Sequence, residues 1–374
     1  MSNKNRILFV VNQAKYFISH RLILAEAASK NGYEVHIATP FGKELDVIHD
    51  ERIKIHNFSI NRSSKNIFNE IHTFISIYRI IYLVKPDIIH LISIKAVLYG
   101  GIIARIKNIP SVMAISGLGY LYSSGKKTIL RKILRAVFRL SLDHVKNIII
   151  VQNNSDKENL QELCSLKSSN YALIPGSGVN IKKFTPSPLP DSEPTILMPS
   201  RMLWDKGVGI FVEAAYEIKK TRQNVKFLLA GPYDPDNPSA IGLDQLKKWN
   251  ENSHIEWLGD IEDMPLLYSK SHFVVFPSYY SEGVPKVLLE ASASGRAIIT
   301  TNMPGCRDVV RHGYNGIIVP PKNVPALVAG IEKLLGDYDT LSRMGHRGRT
   351  EAQLKFDEKL VIKSHLEIYQ KIQK

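Results

Sequence analysis

The feature that most constrains the fold of this sequence is an alternation of short β-branched runs with longer helical patterns, which occurs twice along 374 residues. Such alternation is typical of parallel sheets whose strands are joined by crossover helices. A proline-rich stretch at 185–190 separates the two series and marks a domain boundary, because proline cannot donate ladder hydrogen bonds. Strands are predicted at 6–12, 34–38, 87–91, 111–115 and 148–151, and then at 195–199, 225–230, 254–258, 273–276, 297–300 and 316–319.

Composition restricts the class of protein further. The chain is 44% hydrophobic and 22% charged, as in soluble globular proteins. Cys164 and Cys306 form no CxxC pair, which argues against a disulfide or zinc framework and for a reducing cytosol. The first apolar run, at 7–11, is too short for a signal peptide, and no run approaches the roughly 18 residues of a membrane span.

The positive charge is concentrated in one half of the chain. Residues 1–180 contain 24 Lys and Arg against 12 Asp and Glu, whereas residues 181–374 contain 25 against 23. This asymmetry predicts an anionic partner, either nucleic acid or a membrane surface, for the N-terminal half. No nucleic-acid-binding module is recognisable, so nucleic acid is kept only as the weaker alternative.

The densest motif spans residues 277–290, directly after an apolar predicted strand. Pro285 suits the start of a helix predicted over 285–294, whose positive end would be an anion site. Glu282 before the helix and Glu290 two turns into it could accept hydrogen bonds from sugar hydroxyls. The alternative is a solvated Glu290 beside Lys286 on an ordinary surface helix.

A second motif follows the strand predicted at 195–199. Arg201 and Lys206 stand five positions apart and Gly207 comes next. A planar guanidinium and a point charge in this position suit a diphosphate, and the alternative is a pair of solvated cations.

Three other segments are less specific. The glycines of residues 174–180 allow either a close backbone approach to a ligand or a hinge turn. Residues 115–122 imitate a dinucleotide fingerprint, but Tyr122 replaces its third glycine, which argues against a dehydrogenase. Asp234-Pro-Asp236 resembles a metal-binding Asp-x-Asp, yet its turn-forming neighbours predict a solvated turn. No metal and no other cofactor is therefore expected.

The order Arg201-x4-Lys206-Gly207 and then Glu282-Gly-Val-Pro-x4-Glu290 resembles the signature of retaining glycosyltransferase family 4, enzymes of GT-B fold. The resemblance implies two Rossmann-like domains facing each other across a cleft. It assigns 1–175 to the acceptor and 176–354 to the nucleotide sugar, with a helix at 355–374 packing back on the first domain. It implies that Arg201, Lys206 and Glu282 are catalytic and that Gly178, Asn180, Gly283, Val284, Pro285 and Glu290 bind the donor.

Two motifs in the N-terminal half narrow the resemblance to one branch of this family. Phe17-Ile-Ser-His-Arg21 and Ser116-Gly-Leu-Gly-Tyr120 are similar to the branch that extends undecaprenyl-diphosphate-linked sugars in O-antigen, capsule or N-glycan assembly. The implied substrates are a UDP-sugar donor and a polyprenyl-diphosphate-linked acceptor. The expected acceptor-side residues, for which His20 also has a structural alternative, are His20, Arg21, Gly117, Leu118 and Gly119. A GT-B sugar-nucleotide epimerase is the enzymatic alternative.

Residues 126–140 predict an amphipathic helix that holds six cations and no acid. An entirely basic polar face indicates an anionic partner, and we expect peripheral binding to the inner face of the cytoplasmic membrane. The alternative is a core-packed helix with a solvated basic face. The expected membrane-facing residues are Arg131, Lys132, Arg135 and Arg139, opposite an apolar arc of Ile129, Leu130, Ile133, Leu134, Val137 and Leu140.

Overall fold

The computed structural model describes residues 5–58, 67–115, 129–164, 171–252 and 254–373. The chain forms two compact units, Met1–Ser177 with Val361–Lys374, and Gly178–Leu360. Each unit contains one parallel sheet with helices packed on it. The predicted α/β class with two parallel sheets is confirmed.

The first unit is built on a seven-stranded sheet of order β3-β2-β1-β4-β5-β6-β7. Its central strands are buried on both faces, which explains their continuous apolar runs. The strands are Arg6–Val11, Glu34–Thr39, Ile53–Asn57, Ile88–Ile92, Ser111–Ala114, Asn147–Val151 and Tyr171–Leu173. The helices are α1 Ala14–His20, α2 Leu22–Lys30, α3 Ile67–Val84, α4 Ile94–Lys107, α5 Ile129–Leu142 and α6 Asn154–Cys164.

The second unit is built on a six-stranded sheet of order β10-β9-β8-β11-β12-β13. Strand β8 pairs with β9 on one side and with β11 on the other. The chain therefore adds strands in one direction from β8 to β10 and in the opposite direction from β11 to β13, and the strand order reverses at β8. The strands β8–β13 are Thr195–Pro199, Lys226–Ala230, Glu256–Trp257, Phe273–Phe276, Ala297–Thr301 and Gly316–Val319. The helices α7–α13 are Val208–Lys219, Leu243–Glu251, Met264–Ser269, Lys286–Ala293, Cys306–Val309, Val324–Leu335 and Tyr338–Lys355.

The last helix, α14 (Glu358–Ile372), starts in the second unit and continues into the first. Its Tyr369 is fully buried in the core of the first unit, and the Tyr369 hydroxyl lies 2.6 Å from Nδ1 of His90 on β4. This buried polar contact fixes the end of the chain against the first sheet.

Two helix predictions need correction. The sequence pattern predicts one helix over 19–30, but this part of the chain belongs to two helices, because Arg21 leaves the helical conformation at φ −132° and ψ −15°. The predicted apolar arc of α5 wrongly included Leu140, which is 47% exposed, whereas Phe138 and Leu142 are fully buried. The reason is that α5 packs on α4, so its buried side is set by that neighbour and not by the arc of highest hydropathy.

Within the described residues, no helix is both long and apolar enough to cross a membrane.

Candidate active site at the strand-order reversal of the second sheet

The loops after β8 and β11 meet where the strand order of the second sheet reverses. These two strands pair directly, with Phe273 opposite Ile196 and Val274 opposite Leu197. In open α/β sheets ligands bind outside the carboxyl ends of the strands at such a reversal. The predicted Arg201–Lys206 and Glu282 motifs therefore occupy adjacent loops at the position where a ligand is expected.

Gly207 determines how closely these two loops approach. It has φ +82°, and a Cβ atom there would overlap the backbone carbonyl of Pro277. The contact is extended by hydrogen bonds from the Ser278 hydroxyl (3.2 Å) and the Tyr279 amide (3.1 Å) to the carbonyl of Asp205. Only glycine allows this approach, because it combines a left-handed conformation with the absence of a side chain.

The close approach places Lys206 against Glu282. The Lys206 Nζ lies 2.5 Å from the Glu282 Oε2, and the two side chains are 12% and 17% exposed. The Ser278 hydroxyl also lies 2.9 Å from the other carboxylate oxygen of Glu282. A cation held this rigidly, away from most water, is preorganised to stabilise negative charge on a ligand.

Asp205 is a candidate site residue that the sequence motifs did not indicate. Burial raises the pKa of its carboxyl, which the neighbouring Lys206 counteracts. Its Oδ1 is buried and has no hydrogen-bond partner within the described part of the chain. In the sequence, its position next to Lys206, in the loop that also holds Arg201, was the feature that could have indicated a role.

Arg201 is held differently from Lys206. Its side chain is 43% exposed, and its Nη1 lies 2.7 Å from the Asp234 Oδ2. The Asn237 amide bonds the Asp234 carbonyl at 3.1 Å, as in a β-turn. The Asp234-Pro-Asp236 turn thus orients the guanidinium.

Glu290 is buried, which contradicts the alternative of a solvated surface carboxylate. It is 9% exposed on α10, and its Oε2 accepts a 3.3 Å hydrogen bond from the Tyr268 hydroxyl. Lys286 Nζ lies 3.9 Å from the other oxygen. Burial raises the pKa of the Glu290 carboxyl, while Lys286 opposes that shift. Tyr268 was not predicted because it is 22 residues away and carries no motif.

The start of α10 differs by one residue from the predicted helix. Pro285 precedes the first helical residue with an extended ψ of 122°. Val284 and Pro285 are buried and Gly283 is half-buried. A Cβ atom on Gly305 would overlap the Gly283 carbonyl, so the loop after β12 packs closely against the turn that precedes α10.

Two predicted donor-binding residues have local structural roles. Gly178 has φ +72°, and a Cβ there would lie 2.6 Å from the Glu358 Cα. The Asn180 side-chain oxygen accepts the amides of Lys182 (3.0 Å) and Lys183 (2.8 Å). These contacts explain why glycine occurs at position 178 and asparagine at position 180 without reference to a ligand.

In the first unit, the predicted residues are only partly described. His20 is half-buried and stacks on Tyr16 with ring centroids 4.3 Å apart, and Arg21 is 2% exposed. Arg135 and Arg139 are exposed on α5. Gly117, Leu118, Gly119 and the side chains of Arg131 and Lys132 lie outside the described residues.

Comparisons with known proteins match both parts of the chain to glycosyltransferases. Residues 6–153 match the family model Glycosyl transferase 4-like, and residues 180–351 match Glycosyl transferases group 1. Sucrose-phosphate synthase of Thermosynechococcus elongatus has the same fold, with a TM-score of 0.84 at 20% identity over 99% of both chains.

Two curated relatives are similar in sequence. N,N'-diacetylbacillosaminyl-diphospho-undecaprenol alpha-1,3-N-acetylgalactosaminyltransferase of Campylobacter jejuni is 27% identical over 98% of this chain and 99% of its own. UDP-Gal:alpha-D-GlcNAc-diphosphoundecaprenol alpha-1,3-galactosyltransferase of Escherichia coli is 24% identical over 73% and 72%. The comparisons do not support the epimerase alternative. The chain belongs to the GT-B glycosyltransferases with a 4-like N-terminal domain and a group 1 C-terminal domain.

Proposed function

We propose that this enzyme moves a hexose or N-acetylhexosamine from a UDP-sugar to a polyprenyl-diphosphate-linked saccharide in surface polysaccharide or glycan assembly. The observation that carries the proposal is the Lys206–Glu282 pair at the strand-order reversal. Both curated relatives described above are named for transfer to sugars on diphospho-undecaprenol, and one is named for a UDP-sugar donor. We place the enzyme on the inner face of the cytoplasmic membrane.

The charges of the site suit the departure of a nucleoside diphosphate. Positive charge develops on the sugar ring in the transition state and negative charge on the leaving diphosphate. Lys206 and Arg201 neutralise the diphosphate, and Glu282 with the amides of Gly283 and Val284 holds the sugar. Because these groups are fixed before the reaction, little reorganisation is needed when charge develops. No metal ion is needed where the protein supplies this charge.

Glu290 accepts hydrogen bonds from the ribose hydroxyls in this proposal. Its carboxyl is already oriented by Tyr268, and Lys286 favours its ionised form. The transfer proceeds with retention, by attack on the same face of the sugar from which the diphosphate leaves. A diphosphate oxygen then helps to take the acceptor proton.

The first unit offers a surface suited to an anionic membrane. Helix α3 carries large apolar side chains on its exposed side, at intervals of three and four residues. Helix α4 lies between α3 and α5, and Lys107 on α4 stacks on Tyr78 with its Nζ 5.1 Å from the ring centroid. The stripe consists of Phe68 (75% exposed), Ile71 (51%), Ile75 (42%), Tyr78 (39%) and Tyr82 (66%).

Cations accompany this apolar stripe. Arg79, Arg105 and Lys107 are exposed on α3 and α4, as are Arg135 and Arg139 on α5. An apolar stripe with basic neighbours fits a bilayer interface, where each cation near anionic lipid contributes on the order of 1 kcal/mol. The membrane contact proposed from α5 is therefore extended to α3.

The membrane contact is tested by sedimentation with phosphatidylglycerol vesicles at moderate salt. Changing Arg131, Lys132, Arg135 and Arg139 to Gln should abolish binding, and changing Phe68, Ile71 and Ile75 to Ser should weaken it. Transfer to a water-soluble acceptor should remain in both variants. Vesicle binding equal to that of the unmodified protein in both variants would place the membrane contact elsewhere.

The proposed function is tested by mass spectrometry of purified enzyme incubated with a panel of UDP-sugars and short-chain polyprenyl-diphosphate saccharides. We expect one donor to add a single sugar to the lipid-linked acceptor, and only when both substrates are present. Conversion of the UDP-sugar without any acceptor, or no product from any pair, would contradict the proposal.

A further inference from the structure

Arg21 is a buried cation whose charge is not balanced by any residue that the structure describes. It is 2% exposed and lies at the break between α1 and α2. Within the described residues its guanidinium donates no hydrogen bond and has no carboxylate within ion-pair distance, and its Nε is sealed from solvent. A guanidinium presents five donors, and leaving a buried one of them without a partner is costly.

The groups around Arg21 are neutral. Burial, with smaller contributions from His365 and Arg21, lowers the pKa of His90 well below its ordinary value, and burial together with Arg21 lowers the pKa of His365 to about 3. Burial also raises the pKa of Tyr369 well above its ordinary value. None of these three side chains supplies negative charge at neutral pH.

Other hydrogen-bonding capacity in the same cluster is also unused. The Nε2 atoms of His90 and His365 are buried and have no partner in the described part of the chain. The two rings stack with centroids 5.7 Å apart, and only the Nδ1 atoms are engaged, with the Tyr369 hydroxyl and the Val361 carbonyl. Because the neutral His365 ring donates its Nδ1–H to the Val361 carbonyl, its Nε2 is an unused acceptor, so His90 is the ring of this pair that can offer an unused N–H to an anion.

The backbone beside Arg21 also favours an anion. Arg21 precedes the nine-residue helix α2, and no side chain caps the first turn of that helix. The amides of a first helical turn carry partial positive charge and point toward the helix end. The break in the helix therefore places a second electropositive group beside the Arg21 backbone.

We propose that Arg21 and the first turn of α2 bind a diphosphate group, and that this group belongs to the lipid-linked acceptor. The assignment to the acceptor rests on the proposed function, in which Arg201 and Lys206 of the second unit take the diphosphate of the donor. Arg offers the planar fork that binds phosphate oxygens in pairs.

The proposal is tested by thermal unfolding with farnesyl diphosphate as a soluble probe and UDP as a second arm. Farnesyl diphosphate should raise the unfolding temperature of the unmodified protein. Arg21→Met should unfold at a higher temperature than the unmodified protein without ligand, because it removes an unpaired buried charge, and should lose the farnesyl diphosphate shift. The UDP shift should be unchanged. Arg52→Met, at an exposed arginine paired with Asp50, is the control that should leave both ligand shifts intact.

Three results would overturn the proposal: destabilisation of the ligand-free protein by Arg21→Met, retention of its farnesyl diphosphate shift, or loss of its UDP shift instead. Steady-state kinetics provide an independent readout. In Arg21→Lys, the KM for the lipid-linked acceptor should rise about tenfold or more while kcat changes little, the scale for a lost charge-assisted hydrogen bond. Unchanged acceptor KM in an active enzyme would refute the role of Arg21 alone, whereas an inactive unmodified enzyme would refute the proposed function.

Discussion

Replacing Glu290 with Gln should weaken UDP binding while leaving the protein as stable or more stable at neutral pH. The substitution keeps the size of a 9% exposed side chain and its contact with Tyr268, but removes the charge. A hydrogen bond to a charged group contributes about 1.5–3 kcal/mol, so the Kd for UDP should rise roughly 10- to 150-fold.

The stability change follows from the raised pKa of Glu290. Because burial raises this pKa above its ordinary value of 4.5, the folded protein keeps the proton to a higher pH than the unfolded chain does. The free energy of unfolding therefore falls as pH rises from the unfolded pKa through the folded one. Gln does not titrate, so this loss is absent in the variant. Below the pKa of Glu290 in the unfolded chain, Glu290 and its Gln replacement are both neutral, so the difference in the free energy of unfolding that charge causes disappears.

Calorimetry with UDP and denaturant unfolding at pH 4 and pH 7 measure both effects. Glu217→Gln, at an exposed carboxylate paired with Lys220, is the control and should change neither quantity appreciably. Unchanged UDP affinity in Glu290→Gln would refute the ribose contact. A clear loss of stability at pH 7 would refute the reasoning from burial.

One further substitution and one buffer condition test the geometry of the loops. Gly207→Ala should cost about 1–2 kcal/mol for its left-handed backbone and should lower kcat/KM by at least about tenfold, because the added Cβ displaces the Pro277 loop. Gly313→Ala, with φ +73° and nothing within 4 Å of the added Cβ, is the matched control; equal activity in the two variants would refute the packing argument. Activity should persist in EDTA, because the Asp234 carboxylate orients Arg201. Complete loss of turnover in EDTA, restored by manganese or magnesium, would contradict that assignment.

Most of the sheet architecture was predictable because buried parallel strands carry continuous apolar runs. The strands at 195–199 and 273–276 were predicted with the bounds they have in the structure. Their order in the sheet follows from crossover connections that the sequence pattern does not specify. The adjacency of the Arg201–Lys206 and Glu282 loops therefore became visible only in the pairing of β8 with β11.

The errors arose where tertiary contacts override local pattern. Helical periodicity continues through His20 and Arg21, so nothing local indicated the break between α1 and α2. In α5 the neighbouring helix α4, rather than the mean hydropathy of each side, decides that Phe138 is buried and Leu140 exposed. Burial of Glu290 could not be predicted either, since its partner Tyr268 is distant in sequence.

The central claim is that Lys206 and Arg201 stabilise the diphosphate as it leaves, and the turnover of their alanine variants tests it most directly. Transfer from the UDP-sugar to a soluble lipid-linked acceptor should be measured for Lys206→Ala, Arg201→Ala and the control Lys226→Ala, which removes an exposed cation paired with Glu193. We predict that kcat/KM falls by at least about 100-fold in the first two variants, the scale for losing a preorganised charge contact. The control should stay near the unmodified enzyme, and all three should remain folded. Near-normal turnover in Lys206→Ala and Arg201→Ala would contradict the claim.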